Sequence, residues 1–224
     1  KAEELLLKIE EMAGPTPPLM GQVAAVQAHV ARGKGQNARA VAKSQQALAL
    51  LPPTASALRG VLAMNLGILY WHEGQLREAT QVLSGVIDGA RQSGNQYALL
   101  TAQIFLARTL VSQGELWQPA ELYQQIIRQG GEVPILALAH YDLCGIYYEW
   151  NDLLKSEEHQ EKGLALCTRS GNVEFQNSGH ILKALLVLAQ GRAQEALAEV
   201  EISHTRSRDF NLSTQARSAA CHAQ

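Results

Sequence analysis

Apolar residues recur along this chain of 224 residues at intervals of three and four, the spacing that places them on one face of an α-helix. Lys1 to Met12 is the first such segment, and short breaks carrying glycine, proline or asparagine separate it from the later ones. Further helices are predicted at Pro18–Ala31, Asn37–Leu51, Ala57–His72, Gln75–Ser93, Gln96–Ser112, Leu116–Arg128, Val133–Glu149, Asp152–Ser170, Val173–Ala189, Arg192–Ser203 and Asn211–His222. No segment alternates apolar and polar residues for long, so we predict no β-sheet.

The breaks between helices repeat at a nearly constant spacing. Turn residues at Gly35, Gly74, Gly114, Asn151 and Gly191 are 39, 40, 37 and 40 residues apart. Seven residues before each turn stand Ala28, Gly67, Ala107, Cys144 and Ala184, and five residues after it stand Ala40, Ala79, Pro119, Ser156 and Ala196. Small side chains at both positions allow two antiparallel helices to approach closely. The middle copies add a large residue four positions before the turn, at Tyr70, Leu110 and Tyr147, which would pack into the neighbouring helix pair. We assign Tyr70 and Tyr147 to the core.

This period of about 40 residues indicates an all-α fold, a right-handed α-solenoid of about five helix-turn-helix repeats with flanking helices. The order of small, large, turn and small residues resembles a tetratricopeptide repeat (TPR) lengthened by about six residues. We predict one domain over 1–224: an initial helix and linker at 1–17, repeats at 18–53, 54–95, 96–132, 133–172 and 173–208, and part of another repeat at 209–224. The chain starts without methionine and stops inside a helical pattern, so we expect it to be a segment of a larger protein.

Composition and charge narrow the possible partners. With 46% hydrophobic residues, 18% charged residues and a net charge of −2, the chain resembles a globular protein and gives no reason to expect contact with nucleic acid. No apolar run is long enough to span a bilayer, so we expect no membrane association. Cys144, Cys167 and Cys221 follow neither a disulfide nor a zinc pattern, which favours reduced thiols in the cytoplasm.

One hairpin differs from the others because its turn lacks glycine. From Leu143 to His159 it reads Leu-Cys-Gly-Ile-Tyr-Tyr-Glu-Trp-Asn-Asp-Leu-Leu-Lys-Ser-Glu-Glu-His. This run resembles the signature of MalT-type regulators, the large ATP-dependent members of the LuxR family. Those proteins have alanine where Ser156 stands, and since both side chains are small the contact between helices should survive. Stretches at 47–53, 58–67 and 89–95 agree with the same family, so the resemblance spans nearly the whole chain.

Members of that family carry a nucleotide-binding domain of the STAND type, a helical arm, a repeat domain and a C-terminal LuxR-type helix-turn-helix. The resemblance implies that this segment is the sensor of a bacterial transcription activator. It would bind a small-molecule inducer or a regulatory protein and so control ATP-dependent assembly and DNA binding by other domains, with self-association belonging to the full-length protein. The alternative is a generic TPR scaffold that binds a peptide or a protein.

No catalytic or metal-binding pattern is present. The histidines form no His-Glu-x-x-His motif, and the serines lie outside any Gly-x-Ser-x-Gly context. Gly33-Lys34-Gly35 lacks the spacing of a phosphate-binding loop and is interpreted as a turn. We therefore expect no enzymatic activity, no metal and no cofactor in this segment.

The first helix of each hairpin would line the concave surface of such a solenoid. Taking the small residue as a phase marker, we select inward-facing positions at helical spacing. The candidate ligand-binding residues are Trp71, His72, Arg108, Tyr141, Tyr148 and Glu149. Aromatic faces with a few charged groups can hold a sugar, a peptide or an aromatic small molecule. The alternative is that Trp71 and Tyr148 pack between helices and that Arg108 forms an ordinary ion pair with Glu149.

Overall fold

The computed structural model describes residues 16–207, which form ten α-helices and contain no β-strand. These helices are α1 Pro17–Gly33, α2 Asn37–Leu50, α3 Ser56–His72, α4 Leu76–Ser93, α5 Gln96–Ser112, α6 Trp117–Gly130, α7 Leu136–Glu149, α8 Leu153–Ser170, α9 Val173–Ala189 and α10 Ala193–Ser207. The predicted helices at Lys1–Met12 and Asn211–His222 lie outside the described residues. The all-α repeat architecture is confirmed.

Most helix ends follow the turn chemistry of the sequence. Asn95, Asp152 and Asn172 each accept a hydrogen bond from a backbone N–H of the helix that follows, which satisfies a donor that the first turn leaves unpaired. Helix α7 begins at Leu136 and not at the predicted Val133, because a residue directly before a proline disfavours helical backbone angles.

All five predicted turn residues adopt left-handed backbone angles. The φ values are 69° at Gly35, 73° at Gly74, 88° at Gly114 and 79° at Gly191, where glycine avoids the strain that a Cβ atom would cause. Asn151 has a φ of 58° and is the one non-glycine residue with positive φ among the described residues. Asparagine tolerates this region better than most residues, which explains how the fourth hairpin turns without glycine.

The small residues on either side of each turn are buried where paired helices cross. A Cβ atom added to Gly67 of α3 would meet the side chain of Leu83 in α4 at 2.8 Å, so a larger residue fits there only if Leu83 shifts. In the fourth hairpin the hydroxyl of Ser156 donates to the backbone carbonyl of Cys144 over 2.7 Å. That bond lets a polar side chain occupy a position that the family pattern gives to alanine.

The chain divides into two compact units, Lys1–Gly114 and Glu115–Gln224. In the N-terminal unit each helix from α1 to α5 packs on the next, and the first helices α3 and α5 also pack on each other. One core cluster joins Ala47 and Leu51 to Leu62, and Tyr70 is 8% exposed with its hydroxyl accepting from Gln45 over 2.6 Å. Burial of this apolar surface supplies most of the stability of such a stack.

The C-terminal unit repeats the same arrangement with α6 to α10, in which α7 also packs on α9. Tyr147 occupies the position of Tyr70, is 7% exposed, and its hydroxyl accepts from Gln124 over 2.9 Å. The assignment of both tyrosines to the core is therefore confirmed. Among the described helices of either unit, none has the length and apolar character needed to cross a bilayer.

Candidate ligand-binding site

Three of the six candidate residues come together in the N-terminal unit. Trp71 and His72 end α3, with their ring centroids 4.7 Å apart, and Phe105 of α5 packs edge-on against the Trp71 ring at 5.7 Å. The guanidinium carbon of Arg108 lies 5.4 Å from the Trp71 ring centroid and 4.8 Å from that of Phe105. We call this group, together with Ser112, the Trp71 cluster.

The Trp71 cluster fixes an aromatic surface beside a positive charge. A cation over an aromatic face is attracted by the negative potential of the ring, and the indole N–H of Trp71 donates to the Ser112 hydroxyl over 3.0 Å. Trp71 is half-buried between α3 and α5, as the packing alternative predicted, and His72 beside it is exposed. The cluster can therefore contact a ligand with its exposed rim but not with the whole indole face.

The other three candidates belong to the C-terminal unit, and Tyr141 requires a correction. The sequence placed Tyr141 on the accessible face, but its side chain is 5% exposed and its hydroxyl donates to the Sγ atom of Cys167 over 3.5 Å. Two glycines of other helices, Gly163 in α8 and Gly179 in α9, leave the space that the ring fills. Burial raises the pKa of the Tyr141 hydroxyl, which is the behaviour of a core tyrosine.

Tyr148 and Glu149 lie on the last turn of α7. Tyr148 is 41% exposed and Glu149 is exposed as well. Within the part of the chain that the structure describes, neither side chain makes a hydrogen bond or an ion pair. Both are therefore available to a partner of the C-terminal unit.

A pair of histidines, His140 buried and His159 half-buried, lies in the same unit. The Nδ1 atoms of His140 and His159 are 2.9 Å apart, so one imidazole donates and the other accepts, and the His159 ring also stacks on Tyr147. Burial, reinforced by His159 and by Lys162, lowers the pKa of His140 to about 4. Burial likewise lowers the pKa of His159. The pair is neutral near pH 7 and joins α7 to α8.

The sequence did not single out the cavity between α1 and α3 in the N-terminal unit. Its volume is about 330 Å³, near the lower end of the roughly 300 to 1,000 Å³ found for small-ligand sites. Its lining residues are Gln22, Ala25, Val26, Ala28, His29, Arg32, Ser44, Leu58, Val61, Leu62, Asn65 and Leu69. Val26 is 45% exposed and Val61 is 59% exposed, so the apolar wall is open to solvent.

The cavity lies where α1 packs only loosely on α3, although Ala25 of α1 and Leu62 of α3 belong to one core cluster. The corresponding pairs α3 with α5 and α7 with α9 are in closer contact, whereas the α1 face towards the cavity carries the small residues Ala25 and Ala28. Short side chains cannot fill the space between two helix axes, and the gap remains.

Besides the buried Ser44 of α2, four polar side chains of α1 and α3 line this α1–α3 cavity: Gln22, His29, Arg32 and Asn65. Within residues 16–207 none of the four makes a hydrogen bond or an ion pair. A signal for two of them was present in the sequence. His29 and Arg32 precede Gly35 by six and three residues, the positions that Ile68 and Trp71 hold before Gly74. The same phase rule applied to the first hairpin would have selected both.

The remaining chemistry of the described residues is sparse. No three or more histidine, cysteine, aspartate or glutamate side chains in residues 16–207 come together in a way that could hold a metal ion. Burial raises the pKa of the Cys144 and Cys167 thiols, which opposes formation of a reactive thiolate.

Stacked helical hairpins with these turns define a TPR-like helical repeat protein. The model of the MalT-like TPR region matches residues 21–224, and the chain therefore belongs to that family. No curated protein matches the chain.

Solved structures of bacterial regulators share the fold. The quorum sensor NprR in complex with its cognate peptide NprX is 14% identical, with a TM-score of 0.82 over 99% of this chain and 66% of that chain. The apo form of NprR from B. thuringiensis is 14% identical, with a TM-score of 0.78 over 98% of this chain and 62% of that chain. The Rap conjugation gene regulator of plasmid pLS20, in complex with the Phr* peptide, is 13% identical, with a TM-score of 0.73 over 100% of this chain and 67% of that chain.

Proposed function

We propose that this chain is the peptide- or protein-binding region of a cytoplasmic regulator, and that it binds without a chemical step, metal or cofactor. The α1–α3 cavity is the observation that carries this proposal. It combines an open apolar wall at Val26 and Val61 with four polar side chains that have no partner among the described residues. Ligand sites have this composition because apolar surface provides affinity and a few polar groups provide orientation.

The structural relatives favour a peptide as the ligand. NprR has been crystallised with its cognate peptide NprX, and the pLS20 Rap regulator with the Phr* peptide. The present chain shares their fold, and its own surface offers what an extended peptide requires. Side-chain amides at Gln22 and Asn65 can each donate to and accept from a peptide backbone.

The Trp71 cluster extends this surface along the first helices of the N-terminal unit. It lies on α3 and α5, and the cavity lies on α1 and α3, so α3 contributes to both. We propose that the exposed rim at Trp71 and His72 contacts a second part of the same ligand. Tyr148 and Glu149 remain candidates for a contact made by the C-terminal unit.

A selection experiment tests the proposal. The purified 224-residue chain is used to select peptides from a random library, and the selected peptides are measured by isothermal titration calorimetry. We expect Val61→Arg to weaken binding at least tenfold, since it places a charged chain on the cavity wall, and Trp71→Ala to weaken it less. Leu154→Arg is the matched control, because Leu154 is an aliphatic residue of the C-terminal unit that is 82% exposed.

Two sets of outcomes distinguish binding at the cavity from its absence. Peptides that lose affinity for the Val61→Arg variant but keep it for the Leu154→Arg variant support the proposal. A selection that yields no peptide, or peptides indifferent to both Val61→Arg and Trp71→Ala, contradicts it.

A second candidate function follows from the family. Membership in the MalT-like TPR family supports a sensor that binds a small-molecule inducer and controls ATP-dependent assembly and DNA binding by other domains. This candidate expects a nucleotide-binding domain before the chain and a LuxR-type helix-turn-helix after it in the full-length protein. Absence of both would rule it out, whereas a thermal shift with a sugar but with no selected peptide would favour it over peptide binding.

A further inference from the structure

We propose that the α1–α3 cavity recognises a carboxylate next to a branched aliphatic side chain, as at the C-terminal residue of a peptide, with Arg32 binding the carboxylate. The inference rests on the proposed function, because it names the chemistry that the same cavity would select. It specifies that the C-terminal end of the peptide enters the cavity and that Arg32 binds its carboxylate.

The electrostatics of the lining favour an anion. Arg32 is a permanent positive charge, and the lining residues include no aspartate or glutamate. No hydrogen bond or ion pair to a described residue occupies its guanidinium. An arginine left unpaired beside an apolar cavity can bind a carboxylate through two parallel hydrogen bonds, which is the strongest pairing open to this side chain.

The repeat register shows that this charge is peculiar to the first hairpin. Arg32 stands three residues before its turn, and the four later hairpins carry Trp71, Val111, Tyr148 and Leu188 at that position. In the second hairpin the position is filled by an aromatic ring that packs on α5. The first hairpin therefore has a charged group at the place where the others have an aromatic or aliphatic residue, and this group lies beside the α1–α3 cavity.

The walls and volume specify what accompanies the carboxylate. Val26, Val61 and Leu62 offer a branched aliphatic surface, and a cavity of about 330 Å³ accommodates the end of a peptide but not a long segment. The amide groups of Asn65 and Gln22 can pair with the last peptide bond of the ligand. The α-carboxylate of a C-terminal leucine or valine combines all three features, and a free aliphatic acid shares the first two.

The test uses three probes on the whole 224-residue chain. These are the acetylated tripeptide glycine–alanine–leucine with a free carboxylate, the same tripeptide amidated, and N-acetyl-leucine. Binding is followed by NMR titration of the methyl groups of Val26, Val61 and Leu62. Arg32→Gln removes the charge, and Arg77→Gln is its control at an exposed arginine on α4 of the same unit.

We expect the free tripeptide to shift the cavity methyl groups. Amidation and Arg32→Gln should each weaken binding about tenfold or more, as loss of a charged hydrogen-bonded pair requires, while Arg77→Gln has no effect. Combining amidation with Arg32→Gln should cause no further loss, because both remove the same interaction.

Other outcomes separate this inference from the proposed function. Equal binding of N-acetyl-leucine and the free tripeptide, both dependent on Arg32, supports the carboxylate site and assigns it to a free acid. Equal binding of the free and amidated tripeptides, or no effect of Arg32→Gln, overturns the inference even when library peptides still depend on Val61. Absence of methyl shifts with all three probes at millimolar concentration also overturns it, and the library selection then decides the proposed function independently.

Discussion

The position of Tyr141 leads to a prediction about the contribution of its hydroxyl oxygen to the packing of the C-terminal unit. Its ring fills a space between two helix glycines. A Cβ atom added to Gly179 would lie 2.3 Å from the Tyr141 hydroxyl oxygen and 2.9 Å from Cζ. A Cβ atom added to Gly163 would lie 2.5 Å from Cε1 and 2.7 Å from Cδ1 of the same ring. Both substitutions by alanine should therefore force the ring to move, but through different atoms.

The expected cost is the balance of two effects. Overpacking of a filled core lowers the free energy of unfolding by about 1 to 3 kcal/mol, whereas replacing a glycine by alanine inside a helix raises it by about 0.5 to 1 kcal/mol. We expect Gly163→Ala and Gly179→Ala each to lower the free energy of unfolding by about 1 to 2 kcal/mol. Gly145→Ala, in the same helix as Tyr141, has open space around the added carbon and should raise it by up to about 1 kcal/mol.

The Tyr141→Phe background distinguishes the two glycines. Removing the hydroxyl eliminates the shortest contact with a side chain at position 179. In the Tyr141→Phe background, Gly179→Ala should therefore lower the free energy of unfolding by about 1 kcal/mol less than it does in the original chain. The ring carbons that meet a side chain at position 163 remain in phenylalanine, so the cost of Gly163→Ala should stay unchanged. Tyr141→Phe itself loses only a long bond to Cys167 and should cost about 1 kcal/mol or less.

Urea denaturation followed by circular dichroism measures these free energies. Amide hydrogen exchange across α7 to α9 assigns the changes to the C-terminal unit. Tyr141 is not wedged between these helices if Gly179→Ala costs the same free energy of unfolding in both backgrounds, or if both glycine variants stabilise the chain as Gly145→Ala does.

Three further predictions concern stability. The pKa of His140 is about 4 in the folded chain and 6.5 in the unfolded one. As the pH falls, the unfolded chain therefore binds the proton first. The contribution of His140 to the free energy of unfolding should be complete above about pH 6.5 and should decline between pH 6.5 and 4. His140→Gln should flatten that part of the pH profile of unfolding free energy, and an unchanged slope would contradict the burial of His140. In urea denaturation, Asn151→Gly should change the free energy of unfolding by less than about 0.5 kcal/mol, whereas Asn151→Val should lower it by about 1 to 2 kcal/mol. Only valine opposes the positive φ of this turn. Equal effects of the two substitutions would argue against the left-handed turn. Gly67→Ala should destabilise by about 1 to 2 kcal/mol in thermal unfolding, since its Cβ would meet Leu83 at 2.8 Å, whereas the open position Gly85→Ala should not.

Local patterns predicted most of the fold. Predicted and observed limits coincide for Gln96–Ser112 and Val173–Ala189, because asparagine caps and glycine turns are properties of a few adjacent residues. The small residues at Gly67 and Ser156 were recognised for the same reason, since their spacing from the turn sets where paired helices cross. The predicted start of α7 at Val133 was wrong, because Pro134 disfavours helical backbone angles at the residue before it.

The candidate site was only partly predictable. Trp71, His72 and Arg108 come together because helical phase places them on facing sides of neighbouring first helices. Tyr141 obeys the same phase rule, yet it is buried because glycines 22 and 38 residues further along the chain make room for its ring. Helical spacing gives the direction in which a side chain leaves its own helix and contains no information about what another helix leaves empty.

The helices, their turns and the repeat were thus predictable from the sequence alone, since each depends on contacts between residues close in sequence or on a period that repeats. The family was predictable because the run from Leu143 to His159 resembles its signature. The distance between first helices was decided by tertiary packing alone. That distance closes the space around Tyr141 and leaves the α1–α3 cavity open beside Arg32. Whether a side chain is core or surface depends on volumes supplied by separate helices, and those volumes meet only when the chain is folded.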